Sequence, residues 1–92
     1  MNSMTLSISK NFTVEEVSEF RSAVNKLIEE GTINFIFDFT ECEFIDSTGL
    51  GVLVSIYKKC AEKNGNIKLR NMDVKVKKLF ELTRLDRVFE IY

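Results

Sequence analysis

The sequence predicts an α/β fold: a small mixed, mainly parallel sheet of about four strands with three or four helices. Three observations carry that expectation. Stretches with strand-like and helix-like patterning alternate along the chain. One run, Ile33 to Phe39, is dense in β-forming residues. The two longest helical patterns each end near a glycine, Gly31 and Gly65. Strands alternating with helices require crossover connections, and these favour parallel pairing.

The elements follow in order. Thr5 to Lys10 alternates Leu6 and Ile8 against polar neighbours, the period of a half-buried strand. Thr13-Val14-Glu15-Glu16 matches a capping box, in which Thr13 and Glu16 satisfy each other's amides. Val14, Val17, Phe20, Val24, Leu27 and Ile28 follow at helical spacing. Up to a left-handed stop at Gly31, this predicts a helix of about 17 residues. Ile33 to Phe39 is nearly continuous in apolar character, which suits a central strand covered on both faces. Residues 40–47 read as a loop. Thr48 to Lys63 forms the second helix, with Leu50, Leu53, Val54, Tyr57, Cys60 and Ala61 on one side. Asn66 to Arg70 is a short strand. A third helix around Val74 to Leu82 is capped by Asp73 or Asn71. Leu85 to Ile91 closes the chain as a short helix or strand. The chain of 92 residues reads as one domain, residues 1–92.

Charge and composition exclude several functions. The net charge is −1, with 13 basic and 14 acidic residues. The lysines and arginines of residues 58–78 read as solvated helix faces, so no nucleic-acid partner is expected. The chain has no histidine, which removes Ser-His-Asp and Cys-His catalysis within it. Cys42 and Cys60 form neither a zinc set nor a redox pair, and they read as small buried apolar residues of a reducing cytoplasm. No apolar run approaches the roughly 20 residues of a membrane span. No signal-peptide pattern opens the chain, so a cytoplasmic protein without membrane contact is expected.

The informative stretch is Phe44-Ile45-Asp46-Ser47-Thr48-Gly49-Leu50-Gly51-Val52. Asp46 or Ser47 caps the second helix, and either choice places Ser47 at the positive end of its dipole. Gly49 and Gly51 fall in the first turns, where each costs about 1 kcal/mol relative to alanine. Glycines there make sense if something approaches the backbone closely. A helix N-terminus receives phosphate well. A phosphoryl group on Ser47 would add about −1.5 to −2 charge to a surface that already holds Asp46, Glu43 and Glu41. Asp38, Lys58, Lys59 and Lys63 read as turn and surface residues. Of Phe12, Phe39 and Phe44, the last two are expected in the core.

Ile45-Asp46-Ser47-Thr48-Gly49-Leu50-Gly51 resembles the signature of bacterial anti-sigma-factor antagonists of the STAS family. The strand before it lies at the family's usual distance. The later run Val74 to Phe89 is similar to the family's C-terminal helix and closing turn. The resemblance covers about Ile33 to Tyr92. It implies that Ser47 is phosphorylated, with Thr48 as its neighbour. It also implies that Asp46, Thr48, Gly49, Leu50 and Gly51 form the partner-binding surface. The implied partners are a serine kinase that is itself the anti-sigma factor, and a metal-dependent serine phosphatase. ATP and metal come with the partner, and the domain itself needs no cofactor. A monomer is expected. Before the first helix, the family has two strands and a Gly-x-Leu-Asp turn. Here Leu6 to Thr13 lacks that Gly and Asp and leaves room for one strand.

Two other readings compete. A STAS scaffold or ligand-binding module that is never phosphorylated has the same patterning. An enzyme has less support. Asp46-Ser47-Thr48-Gly49 departs by one residue from the aspartic-protease motif and leads into a helix. The chain also lacks G-x-S-x-G and the phosphate-binding G-x-x-x-x-G-K-[ST] loop. No enzymatic activity is expected.

Overall fold

A computed structural model describes residues 3–92. The elements run β1 (Met4–Ser7), β2 (Asn11–Phe12), α1 (Val17–Glu29), β3 (Asn34–Asp38), β4 (Phe44–Ile45), α2 (Ser47–Glu62), β5 (Asn66–Arg70), α3 (Val74–Leu82), a 3-10 turn (Leu85–Arg87) and β6 (Glu90–Ile91). Four strands form one sheet in the order β1-β3-β5-β6, and β2 pairs with β4 in a separate ribbon. Every pairing is parallel. The expected α/β class is therefore observed.

Each crossover steps the same way across the sheet, so right-handed connections place the three helices on one face. The register makes this visible. Leu6, Phe37, Leu69 and Ile91 lie in one row facing the helices. Phe37 and Leu69, at its centre, are fully buried. The adjacent row is Thr5, Ile36, Lys68 and Glu90. It faces outward, and Lys68 pairs with Glu90 at 3.6 Å. The expectation that β3 is covered on both faces is thus corrected. Phe35, Phe37 and Phe39 are buried, while Asn34, Ile36 and Asp38 are half-buried. One layer of helices leaves the other face to polar and charged side chains.

Aromatic rings tie the layers together. Phe20 of α1 packs edge-on against Phe12 of β2 at 5.1 Å and against Phe37 of β3 at 5.2 Å. Phe80 of α3 meets Phe39 and Phe89 edge-on, at 5.9 and 6.0 Å. Such pairs add to the burial of their large apolar area.

Several local expectations are corrected. Helix α1 has 13 residues and begins at Val17, with Glu16 as an N-cap that makes no side-chain bond. The Thr13–Glu16 capping box does not form. The Thr13 carbonyl instead accepts from the amides of Glu16 and Val17, making a turn. Val14, expected on the apolar face of the helix, is exposed in that turn. Gly31 does adopt a left-handed φ of 106°. Asn64, at φ 62°, is the left-handed residue after α2. Gly65 instead packs so closely on Ile33 that a Cβ would lie 2.0 Å from its carbonyl oxygen. Asp73 caps α3, accepting from the Val76 amide at 2.8 Å.

Candidate functional site

The site is assembled at the edge of the sheet where the parallel strands end. From β3 the chain turns through residues 39–43, forms β4 and enters α2. Asp46 is the N-cap of α2 and Ser47 is its first residue. The choice left open by the sequence is settled for Asp46. Its Oδ1 accepts from the Gly49 amide at 2.8 Å, and its Oδ2 accepts from the Val14 amide at 3.2 Å. One carboxylate thus caps α2 and fastens the turn before α1 to it. Because Asp46 supplies the cap, the Ser47 hydroxyl is not committed to it. Ser47 and Thr48 are exposed side by side. An α-helix leaves the amides of its first residues without intrahelical partners, and here those belong to Ser47 and Thr48.

The two glycines have different roles. Gly49 is buried under β2. A Cβ there would lie 2.4 Å from the Phe12 carbonyl oxygen and 2.8 Å from Ile45 Cγ1. The close approach expected at this glycine comes from the protein's own backbone, so Gly49 is not part of the exposed surface. Gly51 is exposed, and a Cβ there would meet nothing within 4 Å. It sits one helical turn beyond Ser47. Leu50 is half-buried against the core.

The structure corrects the expected single N-terminal strand. The two residues of β2 pair in parallel with β4, Asn11 with Phe44 and Phe12 with Ile45. The region before α1 therefore lies directly beside the start of α2. Among the phenylalanines, Phe12 and Phe39 are buried and Phe44 is 54% exposed. The core role expected of Phe44 belongs to Phe12 instead. A two-residue strand alternates one side chain in and one out, and here Ile45 points inward while Phe44 points outward.

Asp38, at the end of β3, is tied into a network rather than free to act at Ser47. The Thr40 hydroxyl and amide both donate to its Oδ1, and Arg70 Nε donates to Oδ2 at 3.1 Å. These bonds, the Thr40 hydroxyl first, hold its carboxyl well below the usual carboxylate range. Cys42 and Cys60 are buried free thiols. Burial pushes the Cys42 thiol up to about 11, so it stays protonated. No cluster of His, Cys, Asp and Glu that could hold a metal exists among the described residues. No helix among them is long and apolar enough to cross a membrane.

The model of the STAS domain matches residues 2–92. The chain belongs to the STAS domain family. The anti-sigma-B factor antagonist of Bacillus subtilis is 28% identical over 90 residues, spanning 98% of this chain and 82% of that protein. The anti-sigma-B factor antagonist of Listeria monocytogenes is 36% identical over 64 residues, 70% of this chain and 55% of that protein. The crystal structure of the Thermotoga maritima protein TM1081 superposes with a TM-score of 0.93 at 30% identity, covering 98% of this chain and 78% of that one. The phosphorylated form of the Bacillus cell fate determinant SpoIIAA shares the fold, with a TM-score of 0.78 at 19% identity over 98% of this chain and 82% of that one.

Proposed function

We propose that this STAS domain is an anti-sigma factor antagonist whose binding is switched by phosphorylation of Ser47. The observation that carries the proposal is the exposed Ser47 at the first turn of α2, with the helix cap supplied by Asp46 rather than by the serine itself. The names of the relatives in Bacillus subtilis and Listeria monocytogenes support the antagonist role.

In this reading the unmodified protein docks on a kinase-type anti-sigma factor in the cytoplasm. The contact surface comprises Asp46, Ser47, Thr48 and Gly51, with the outer side of Leu50. The partner brings ATP and metal. The Ser47 oxygen takes the terminal phosphoryl group, ADP leaves and the hydroxyl proton is released. The α2 N-terminus stabilises the new charge in the isolated protein. In the complex, the same dianion meets a surface fitted to a neutral hydroxyl. Adding charge there costs desolvation and contact, and the partner is released. A serine phosphatase restores the hydroxyl. The domain acts as a binding protein, not as an enzyme.

The test is a binding series against the purified kinase partner. Ser47→Ala is expected to bind as tightly as the unmodified protein and to resist phosphorylation. The phosphorylated protein should bind at least about a hundredfold more weakly, the scale expected when an unpaired charge is buried in an interface. Ser47→Asp, with one charge and two oxygens, should fall between them. Equal affinity of all forms would refute the switch. It would leave Ser47 as an ordinary first-turn residue of a non-phosphorylated scaffold.

A further inference from the structure

A parallel sheet gathers every strand-to-helix connection at one edge, and here three of them lie side by side in strand order. The connection from β1 to α1 carries Val14, that from β3 to α2 carries Phe44 and leads into Ser47, and that from β5 leads into Val74, the first residue of α3. Each presents one large apolar side chain to solvent: Val14 is 62% exposed, Phe44 54% and Val74 83%. Solvated apolar groups scattered singly need no explanation, but these are joined. The Val14 amide donates to Asp46, bonding the first connection to the second. Glu43, just before Phe44, shares a shallow cleft of about 510 Å³ with Asp73, Val74 and Lys75, joining the second connection to the third. Ser47 thus follows the middle one of three linked connections, each with an exposed apolar side chain at or beside it.

Resting on the reading of Ser47 as the switch, we infer that its partner docks across all three connections at once, with Val74 at the start of α3 as a docking anchor. Val74 serves no packing purpose in the fold. It is the most exposed large apolar side chain among the described residues, and α3 is held instead by Val76 and Phe80. Charge sets the chemistry of the partner. Carboxylates at Glu15, Glu43 and Asp73 flank the apolar groups and outnumber the lysines there, Lys75 in the cleft and Lys10 beside Glu43 and Phe44. The complementary surface is an apolar protein face rimmed by arginine or lysine, because opposite charges at an interface rim steer encounter and set register. Contacts on both sides of Ser47 place it in the desolvated middle of the interface, where an added, unpaired charge weighs most.

Photo-crosslinking residues placed in turn at positions 14, 44 and 74 of the full chain in its native cells test this. Leu82, 71% exposed at the far end of α3, serves as the control position. All three positions are expected to capture one and the same polypeptide, which position 82 does not. That polypeptide, once purified, should bind Val74→Glu about tenfold or more weakly than wild type, and Leu82→Glu equally well. Both substitutions are at exposed positions, and unchanged circular dichroism is expected of both variants. If the polypeptide captured at all three positions neither phosphorylates Ser47 nor removes phosphate from it, the docking surface stands and the switch reading fails. If position 74 captures nothing, or a different protein from positions 14 and 44, or if Val74→Glu binds as wild type, the inference is overturned.

Discussion

Replacing Gly49 by alanine sets a methyl group 2.4 Å from the Phe12 carbonyl oxygen, and neither β2 nor α2 can withdraw without breaking the β2–β4 ribbon. Gly49→Ala is expected to lose at least about 2 kcal/mol, in the range of overpacked cores, in a denaturant melt. Gly51→Ala meets open solvent and gains helix propensity. It should stabilise the fold by up to about 1 kcal/mol while weakening partner binding. The pair separates glycine kept for the fold from glycine kept for the surface. Asp38 supplies a second prediction. Its folded pKa is depressed by Thr40 and Arg70, so its contribution is fully present above the unfolded value of about 3.9 and fades as pH falls through the folded one. Asp38→Asn should lower stability at neutral pH and flatten the loss of stability below about pH 4, measured by thermal melts across pH. Wild type and variant with parallel acid profiles would remove Asp38 from that account.

The long elements were legible because their side chains repeat. The apolar spacing of α1 and α2 and the alternation of β5 each extend far enough to define a period. The two-residue strands β2 and β4 were not legible. Asn11–Phe12 and Phe44–Ile45 are too short to show alternation, and each is a strand only because the other lies beside it. The capping box at Thr13 misled for a related reason. The Val14 amide is engaged by Asp46, 32 residues away, and that distant bond fixes the turn before α1. A local motif cannot announce a competitor so far along the chain. The caps of α2 and α3 were readable to within two residues each, Asp46 or Ser47 and Asp73 or Asn71, because a cap lies close to the amide it serves; the structure assigns both to the aspartate. At the C-terminal end of α3, Arg84 is held at φ 63°, a left-handed conformation that costs a non-glycine residue about 1 kcal/mol or more. Arg84→Gly is expected to raise the unfolding free energy by about 0.5–1 kcal/mol in urea titration, since Gly tolerates this geometry.

At the scale of the whole molecule, the parallel topology does what no single residue does. It brings residues from the start, middle and last third of the chain to one edge and sets Ser47 among them. The alternation of strands and helices predicted the mainly parallel sheet, and connections after parallel strands share an edge. Which side chains the edge exposes was not predictable. Phe44 and Val74 are as apolar as their buried neighbours, and only the register of β4 and the first turn of α3 turn them outward. Partner exchange as proposed turns on Ser47 being a reversible switch. Peptide mass spectrometry of the protein purified from its native cells, grown with and without stress, tests this most directly. A single phosphate on Ser47 whose occupancy changes with growth condition is the predicted result. Ser47 unmodified under every condition, in a chain held in a stable complex, would contradict it.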